Sequence, residues 1–305
     1  MSPFEVIAAA NAKRLSEHGQ VRCGFVTELA WSGNGDTLAI AHGGGVWLWK
    51  DGFGGTPTQK LDTPAPIKGI SFSPDGQVIA TASSDTTVQM WIISAGAAMY
   101  TSRAHIDAVN SVAISPNGRI LASGGADRNV RFIDMMDSRG TRSFSGHSEE
   151  IECVRFVGGS TLLASAARDR TVRVWDLVSD QNRWVLPHDD WVRYIAVSDD
   201  GGTLASACKD GRIYLWNLAD GKRTQAIFAH ENGVDSVAFT PNQRVLISGG
   251  RDGMVKLWDV ATGAELHAFH AHEKPVMTLA INPIGSMLVS GSGDNTVKLW
   301  MVKAQ

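Results

Sequence analysis

Six of the ten tryptophans fall at Trp49, Trp91, Trp175, Trp216, Trp258 and Trp300, and Ile133 fills the one empty slot in the series. Successive intervals are 42, 42, 42, 41, 42 and 42 residues. A period of this length means that each unit is one supersecondary module that buries its apolar face against its neighbours. Length alone would favour about two domains. Seven such units occupy nearly all of the 305 residues, however, and leave no room for a second. The expected organisation is one domain over 1–305, with repeats ending near those seven positions.

Within a unit the pattern is that of strands. In 234–258, VDSVAFTPNQRVLISGGRDGMVKLW, apolar residues alternate or run in short blocks separated by Pro-, Asn-, Gly- or Asp-containing turns. The turn between the first two strands reads SPDG at 73–76, SPNG at 115–118 and SDDG at 198–201. Proline presets φ and glycine accepts a positive one, so each is a turn with a mechanism. No segment carries a sustained helical period. Four short strands per unit, repeated seven times, describe small antiparallel sheets set radially about an axis, which leaves only short edges. The expected fold class is all-β: a seven-bladed β-propeller with four antiparallel strands per blade.

A period of roughly 40–45 residues with a Gly-His early and a Trp-Asp late marks the WD-repeat family. The late element here reads LWD at 257–259, VWD at 174–176 and LWN at 215–217, and the chain resembles that family over essentially its whole length.

Four units carry His, Ser, Asp and Trp at offsets 0, 18, 22 and 28. They are His147/Ser165/Asp169/Trp175, His188/Ser206/Asp210/Trp216, His230/Ser248/Asp252/Trp258 and His272/Ser290/Asp294/Trp300. The third unit keeps His105, Ser123 and Asp127 but has Ile133, and the second keeps Thr81, Asp85 and Trp91 with Thr63 in the histidine slot. Ser, His and Asp together invite a nucleophilic reading, because a hydrolase needs a base-activated hydroxyl oriented by a carboxylate. An enzyme needs one such set. This chain repeats it in five units, and no GxSxG elbow surrounds any of these serines. The resemblance implies instead a buried hydrogen-bonded strut within each blade, in which imidazole bridges carboxylate and hydroxyl and the indole N–H finds an acceptor. The first unit, AHGGGVWLW at 41–49, has a shorter turn with neither the Asp nor an aligned His, so blade 1 is expected to be the least firmly pinned.

After Trp300 only MVKAQ remains, too little for an outer strand. Residues 8–17 precede the first innermost strand, expected at 25–31, and are expected to complete the last blade and close the ring. Cys23, Cys153 and Cys208 give neither a disulfide framework nor paired zinc spacing, which fits a reducing compartment and a cytoplasmic location. No run reaches the roughly 18 apolar residues of a membrane span. A net charge of −3 gives no electrostatic reason to expect nucleic acid or membrane as a partner. The run HAFHAH, with His267, His270 and His272, is a weak metal pattern because His272 already belongs to a strut, and Gly43, Gly44 and Gly45 form a tight turn without the lysine of a phosphate loop. No cofactor or metal is expected.

In a propeller of this family, the resemblance implies, the loops before the first strand and between the second and third strands share one face. Residues placed there by alignment include Lys68, Asn110, Glu152, Arg193, Asp235 and Met277, with Thr27, at the starts of innermost strands. Blades 4 to 6 add Arg168, Arg170, Lys209 and Arg251 around Trp191 and Arg193. An aromatic beside guanidiniums has the composition of an interface hot spot, and arginine pairs well with carboxylate or phosphate. The expected function is a non-catalytic scaffold or recognition subunit. It would bind a protein or peptide partner, acidic or phosphorylated, on this face, as a monomeric propeller within a larger complex. Glu149, Glu150, Glu152, Asp189, Asp190 and Asp235 lie close by and can neutralise the basic sector. Two alternatives stand beside this: a sensor module of a larger signalling or defence protein, and a propeller enzyme with its site at the channel mouth.

Overall fold

The computed structural model describes residues 4–103, 105–136, 141–159 and 161–304. Seven antiparallel sheets follow one another along the chain, six of four strands and one of five. Each begins with an innermost strand: Val26–Trp31, Ile67–Phe72, Val109–Ile114, Ile151–Phe156, Val192–Val197, Val234–Phe239 and Val276–Ile281. Consecutive innermost strands pack on one another, and Val276–Ile281 packs on Val26–Trp31, so the sheets close into a seven-bladed β-propeller.

The apolar core is divided among the gaps between blades. Seven buried clusters occur, each shared by two adjacent sheets. The periodic tryptophan of every blade packs against the blade before it: Trp175 lies with Phe132 and Phe144 of blade 3, and Trp258 with Ile213 and Leu215 of blade 5. Ile133 takes the same place against blade 2. A lone module would therefore leave its largest side chain in water, which is why the units are stable only as a ring.

Polar groups join the blades along the innermost strands. Glu28 accepts a hydrogen bond from Ile70 N at 2.7 Å, Ser111 from Val154 N at 3.1 Å, Ser236 from Leu279 N at 3.1 Å and Thr278 from Leu29 N at 3.2 Å. Each uses a side chain of one blade to satisfy the free strand edge of the next. In blade 2 this position is Gly69, whose missing side chain leaves room for the Glu28 carboxylate, and Ser71 bonds Ile114 N at 3.0 Å instead. The turns form as the sequence indicates. Ser73 Oγ donates to Asp75 at 2.6 Å and accepts from Val78 N at 2.9 Å, while Gly76 takes φ of 68°.

Ring closure uses the N-terminal region as expected, but the strand is shifted and shares only 15–17 with the expected 8–17. The closing strand is Leu15–Arg22, paired antiparallel with Thr296–Lys303 from Leu15↔Val302 to Arg22↔Thr296. Upstream, the Asn11 side chain accepts from Ala8 N at 2.8 Å and donates to Val6 O at 2.9 Å, and a 3-10 turn follows at Ala12–Arg14. Asparagine satisfying nearby backbone in this way ends extended structure. The strand itself, LSEHGQVR, buries only Leu15 and Val21, too sparse an alternation to mark its bounds. A further short strand, Phe4–Glu5, pairs with Lys303 and Val302. Val302 thus has a partner on each side, so the end of the C-terminal strand is held between two N-terminal ones, while the rest lies between Leu15–Arg22 and Met287–Ser292.

Blade 1 turns through Gly43, Gly44 and Gly45. A β-carbon on Gly45, at φ of 134°, would sit 2.1 Å from Leu61 O, so no other residue fits. With no strut hydroxyl available, Trp49 Nε1 donates to Gly54 O at 3.2 Å.

Candidate functional site: the channel mouth and its struts

In blade 4, His147 Nδ1 lies 2.8 Å from Asp169, its Nε2 lies 2.7 Å from Ser165 Oγ, and Trp175 Nε1 donates to the same oxygen at 2.8 Å. Blades 6 and 7 repeat this through His230, Asp252, Ser248 and Trp258, and through His272, Asp294, Ser290 and Trp300. Blade 3 has the His105, Asp127 and Ser123 part alone, and in blade 2 Trp91 Nε1 donates to Thr81 at 3.2 Å. Since Nδ1 faces a carboxylate it carries the proton, and the serine hydroxyl donates to Nε2. Burial raises the Asp169 carboxyl, but the hydrogen bonds it receives from His147, Thr171 and Ser148 N outweigh this and hold it at about 2. All five histidines in the pattern are buried.

Blade 5 departs from the expected quartet. His188 Nε2 meets Ser206 at 2.7 Å and Trp216 donates to Ser206 at 3.2 Å, but His188 Nδ1 faces Leu186 O at 3.0 Å rather than Asp210. Tyr214 is the cause. Its slot holds Arg131, Arg173, Lys256 or Lys298 in neighbouring blades, and its phenol lies 2.5 Å from Asp210 and 2.9 Å from Asp189. Without a facing carboxylate, burial dominates and lowers His188 to about 4. The strut is thereby redirected to the 188–191 loop, where Cys208 Sγ also reaches Asp190 O at 3.3 Å and Lys209 N donates to Trp191 O at 2.9 Å. Cys208 and Cys23 are raised by burial, to about 12 and about 11, so neither thiol is an activated nucleophile.

All seven innermost strands carry a register shift between their first and third residues. The skipped residue is Thr27, Lys68, Asn110, Glu152, Arg193, Asp235 or Met277. A bulge re-aims the residue it frees, and these seven side chains line one cavity of about 400 Å³ at the channel mouth. Most are already engaged. Thr27 donates to Ile67 O at 2.7 Å, Lys68 to Asn110 at 2.9 Å and Asn110 to Ile151 O at 2.9 Å. Arg168 pairs with Glu152 and, at 3.2 Å, with Glu150, while Arg193 and Arg251 share Asp235 at 3.1 and 3.2 Å. Burial raises the Asp235 carboxyl against the opposing pull of both arginines. Trp191 is 36 % exposed, with Arg168 Cζ 5.2 Å and Lys209 Nζ 4.0 Å from its ring centre. Lys209 and Arg170 have no carboxylate partner among the described residues, and of the two only Lys209 stands over the Trp191 ring. The basic sector is therefore largely neutralised, and its accessible part is an aromatic ring with one uncommitted ammonium beside it.

A second polar group escaped sequence reasoning. Glu28 of blade 1, Arg155 of blade 4 and Tyr194 of blade 5 meet across the channel beneath the mouth. Arg155 Nη2 lies 2.5 Å from Glu28 and donates also to Tyr194, whose hydroxyl donates to Glu28 at 3.2 Å. Arg155 Cζ stands 4.7 Å above the Tyr194 ring. The signal was present: other blades have Gly69, Ser111, Cys153, Ser236 and Thr278 at the Glu28 and Tyr194 position, and Ala or Ser at that of Arg155. Among the described residues no cluster of His, Cys, Asp or Glu is placed to hold a metal ion, and no helix is long and apolar enough to cross a membrane.

Repeated struts that brace sheets, around a mouth lined by bulged residues, define a propeller that presents a surface. The family model "WD domain, G-beta repeat" matches residues 55–91, 96–134, 139–176, 181–217, 221–259 and 263–301. The chain belongs to the WD-repeat family. Each match runs from the outer strand of one blade through the three inner strands of the next, so the six take in the inner strands of blades 2 to 7; the three inner strands of blade 1, without the strut, lie outside them. One 42-residue stretch, 14 % of this chain, is 50 % identical to the small ribosomal subunit protein RACK1 of Glycine max, and covers 13 % of that protein.

Proposed function

We propose that this propeller is a non-catalytic interaction scaffold that docks a protein or peptide partner on the channel-mouth face, with Trp191 as the anchor. Membership of the WD-repeat family supports the scaffold role, and the exposed Trp191 between two cations carries the choice of face. Anchors of this kind combine a large apolar area with little entropy to lose. Acidic or phosphorylated groups of the partner would meet Lys209, since Arg168, Arg193 and Arg251 are spent on Glu150, Glu152 and Asp235. Those arginines position the rim and resist rearrangement. Three buried free cysteines favour a reducing, cytoplasmic setting. The test is affinity purification with wild-type, Trp191→Ala and Lys209→Glu baits under matched salt. Loss of the same partner from both variants, with unchanged melting, is the expected result. A partner retained equally by all three baits would refute the assignment of this face.

A further inference from the structure

Asparagine precedes glycine at Asn34, Asn117 and Asn232, and all three asparagines are exposed. In that dipeptide the backbone nitrogen can attack the preceding side-chain amide, because glycine has no side chain to hinder it. Hydrogen bonding, not exposure, separates the three. Asn117 Oδ1 accepts from Ser115 Oγ at 2.7 Å and from Arg119 N at 3.0 Å, and Gly118 N donates to Ser115 O at 2.8 Å. Asn34 is held in the same way by Ser32 Oγ at 2.7 Å and Asp36 N at 3.2 Å, with Gly35 N donating to Ser32 O at 2.8 Å. By contrast, neither the Asn232 side chain nor Gly233 N has a hydrogen-bond partner among the described residues. Asn232 and Gly233 lead into the innermost strand of blade 6. Gly233 O accepts from Arg251 N at 3.1 Å, and a β-carbon on Gly233 would lie 3.2 Å from Lys209 O. The segment therefore abuts two of the basic turns of the mouth face.

We propose that Asn232 is a site of spontaneous deamidation, through a cyclic imide formed with Gly233 and opened by water, and that the fold protects Asn34 and Asn117 from the same reaction. Gly233 N forms a bond to Asn232 Cγ, and the side-chain nitrogen leaves as ammonia, carrying the proton that Gly233 gives up. Water then adds to one or other carbonyl carbon of the imide. One opening leaves aspartate, and the other leaves isoaspartate, with the chain rerouted through the former side chain. At Asn117 the attack requires the amide to leave Ser115 and Arg119 N, and Gly118 N to leave Ser115 O. Those losses add to the barrier. At Asn232 no such bond has to break. Either product carries a negative charge where the amide had none, on a segment that touches the turns of Lys209 and Arg251.

The test ages the full wild-type chain in mildly alkaline buffer, native and in parallel in guanidinium chloride. Samples taken over time are digested briefly at acidic pH and read by mass spectrometry, with electron-transfer fragmentation to separate isoaspartate from aspartate. In the native protein the peptide containing Asn232 should convert at least about tenfold faster than those containing Asn34 and Asn117, since three hydrogen bonds protect each of the latter. In denaturant the three rates should come within a few-fold of one another, because the same dipeptide is then free at every site. The inference is overturned if Asn34 or Asn117 converts as fast as Asn232 in the native chain. It is equally overturned if Asn232 stays intact there while converting in denaturant, or if the native ranking persists unchanged in denaturant, which would place its cause outside the fold.

Discussion

Replacing Ser248 by alanine removes one oxygen and strands two nitrogens. Ser248 Oγ, fully buried, meets His230 Nε2 at 2.7 Å and accepts from Trp258 Nε1 at 2.8 Å. Each buried polar group left unpaired costs roughly 1–3 kcal/mol, so the substitution should cost roughly 2–5 kcal/mol. Blade 3 supplies an internal control. Ser123 meets His105 Nε2 at 2.8 Å, but Ile133 has no N–H to lose, so Ser123→Ala should cost only about 1–3 kcal/mol. Thr81→Val in blade 2 makes the complementary cut, stranding only the Trp91 indole. The measurement is equilibrium urea unfolding followed by tryptophan fluorescence, comparing midpoints at pH 7. Ser248→Ala should show the largest shift and the other two smaller, similar ones. Equal losses in Ser248→Ala and Ser123→Ala would refute the claim that the indole hydrogen bond adds to the strut.

The pH dependence of stability should carry the mark of blade 5. The unfolded chain protonates His188 near 6.5, whereas in the native state burial delays this to about 4, so stability is complete above pH 6.5 and falls as pH drops toward 4, by up to roughly 3 kcal/mol. Unfolding free energies measured across that window should slope less in His188→Gln, and an unchanged slope would contradict the assignment. In the Glu28–Arg155–Tyr194 group, Arg155→Met should cost roughly 3 kcal/mol because Glu28 is left as a buried unpaired charge, and adding Glu28→Gln should recover part of it. Urea midpoints that simply add would show that the two groups are not coupled. Deleting residues 1–22 removes the strand paired with Thr296–Lys303 and the buried Ile7, Leu15 and Val21. At roughly 1.5–3 kcal/mol per side chain this should lower the melting temperature by about 10 °C or more, and an unchanged melting curve would mean that the ring closes without it.

The fold was legible because tryptophan spacing records module length directly, and Ile133 interrupts it without breaking the register. The strut partners were legible for the same reason, except where a residue outside the quartet competed: nothing in the Asp210 spacing shows that Tyr214 will claim it. The bulge at every innermost strand was invisible, because the skipped position carries no common residue type, from Thr27 and Lys68 to Asp235 and Met277, and only hydrogen-bond register exposes it. The seven residues that alignment places at the starts of the innermost strands line one cavity. Which of the nearby acids pairs with which cation was not legible, since Arg193 meets Asp235, a residue of the next blade. Comparing blades marks Glu28 and Arg155 as unusual, but they stand 127 residues apart and nothing in the spacing shows that they pair.

Pairing of Leu15 with Val302 spans nearly the entire polypeptide. During synthesis the opening strand must stay unpaired while every blade is made, because its template emerges last. Until then its backbone groups and the apolar flank of blade 1 are open to mispairing, and assembly ends with a single late docking event rather than by gradual growth. Because the pairing is antiparallel and places Leu15 opposite Val302, a pull on the two strand ends would load that seam as a zipper, one hydrogen bond at a time from the Leu15 end.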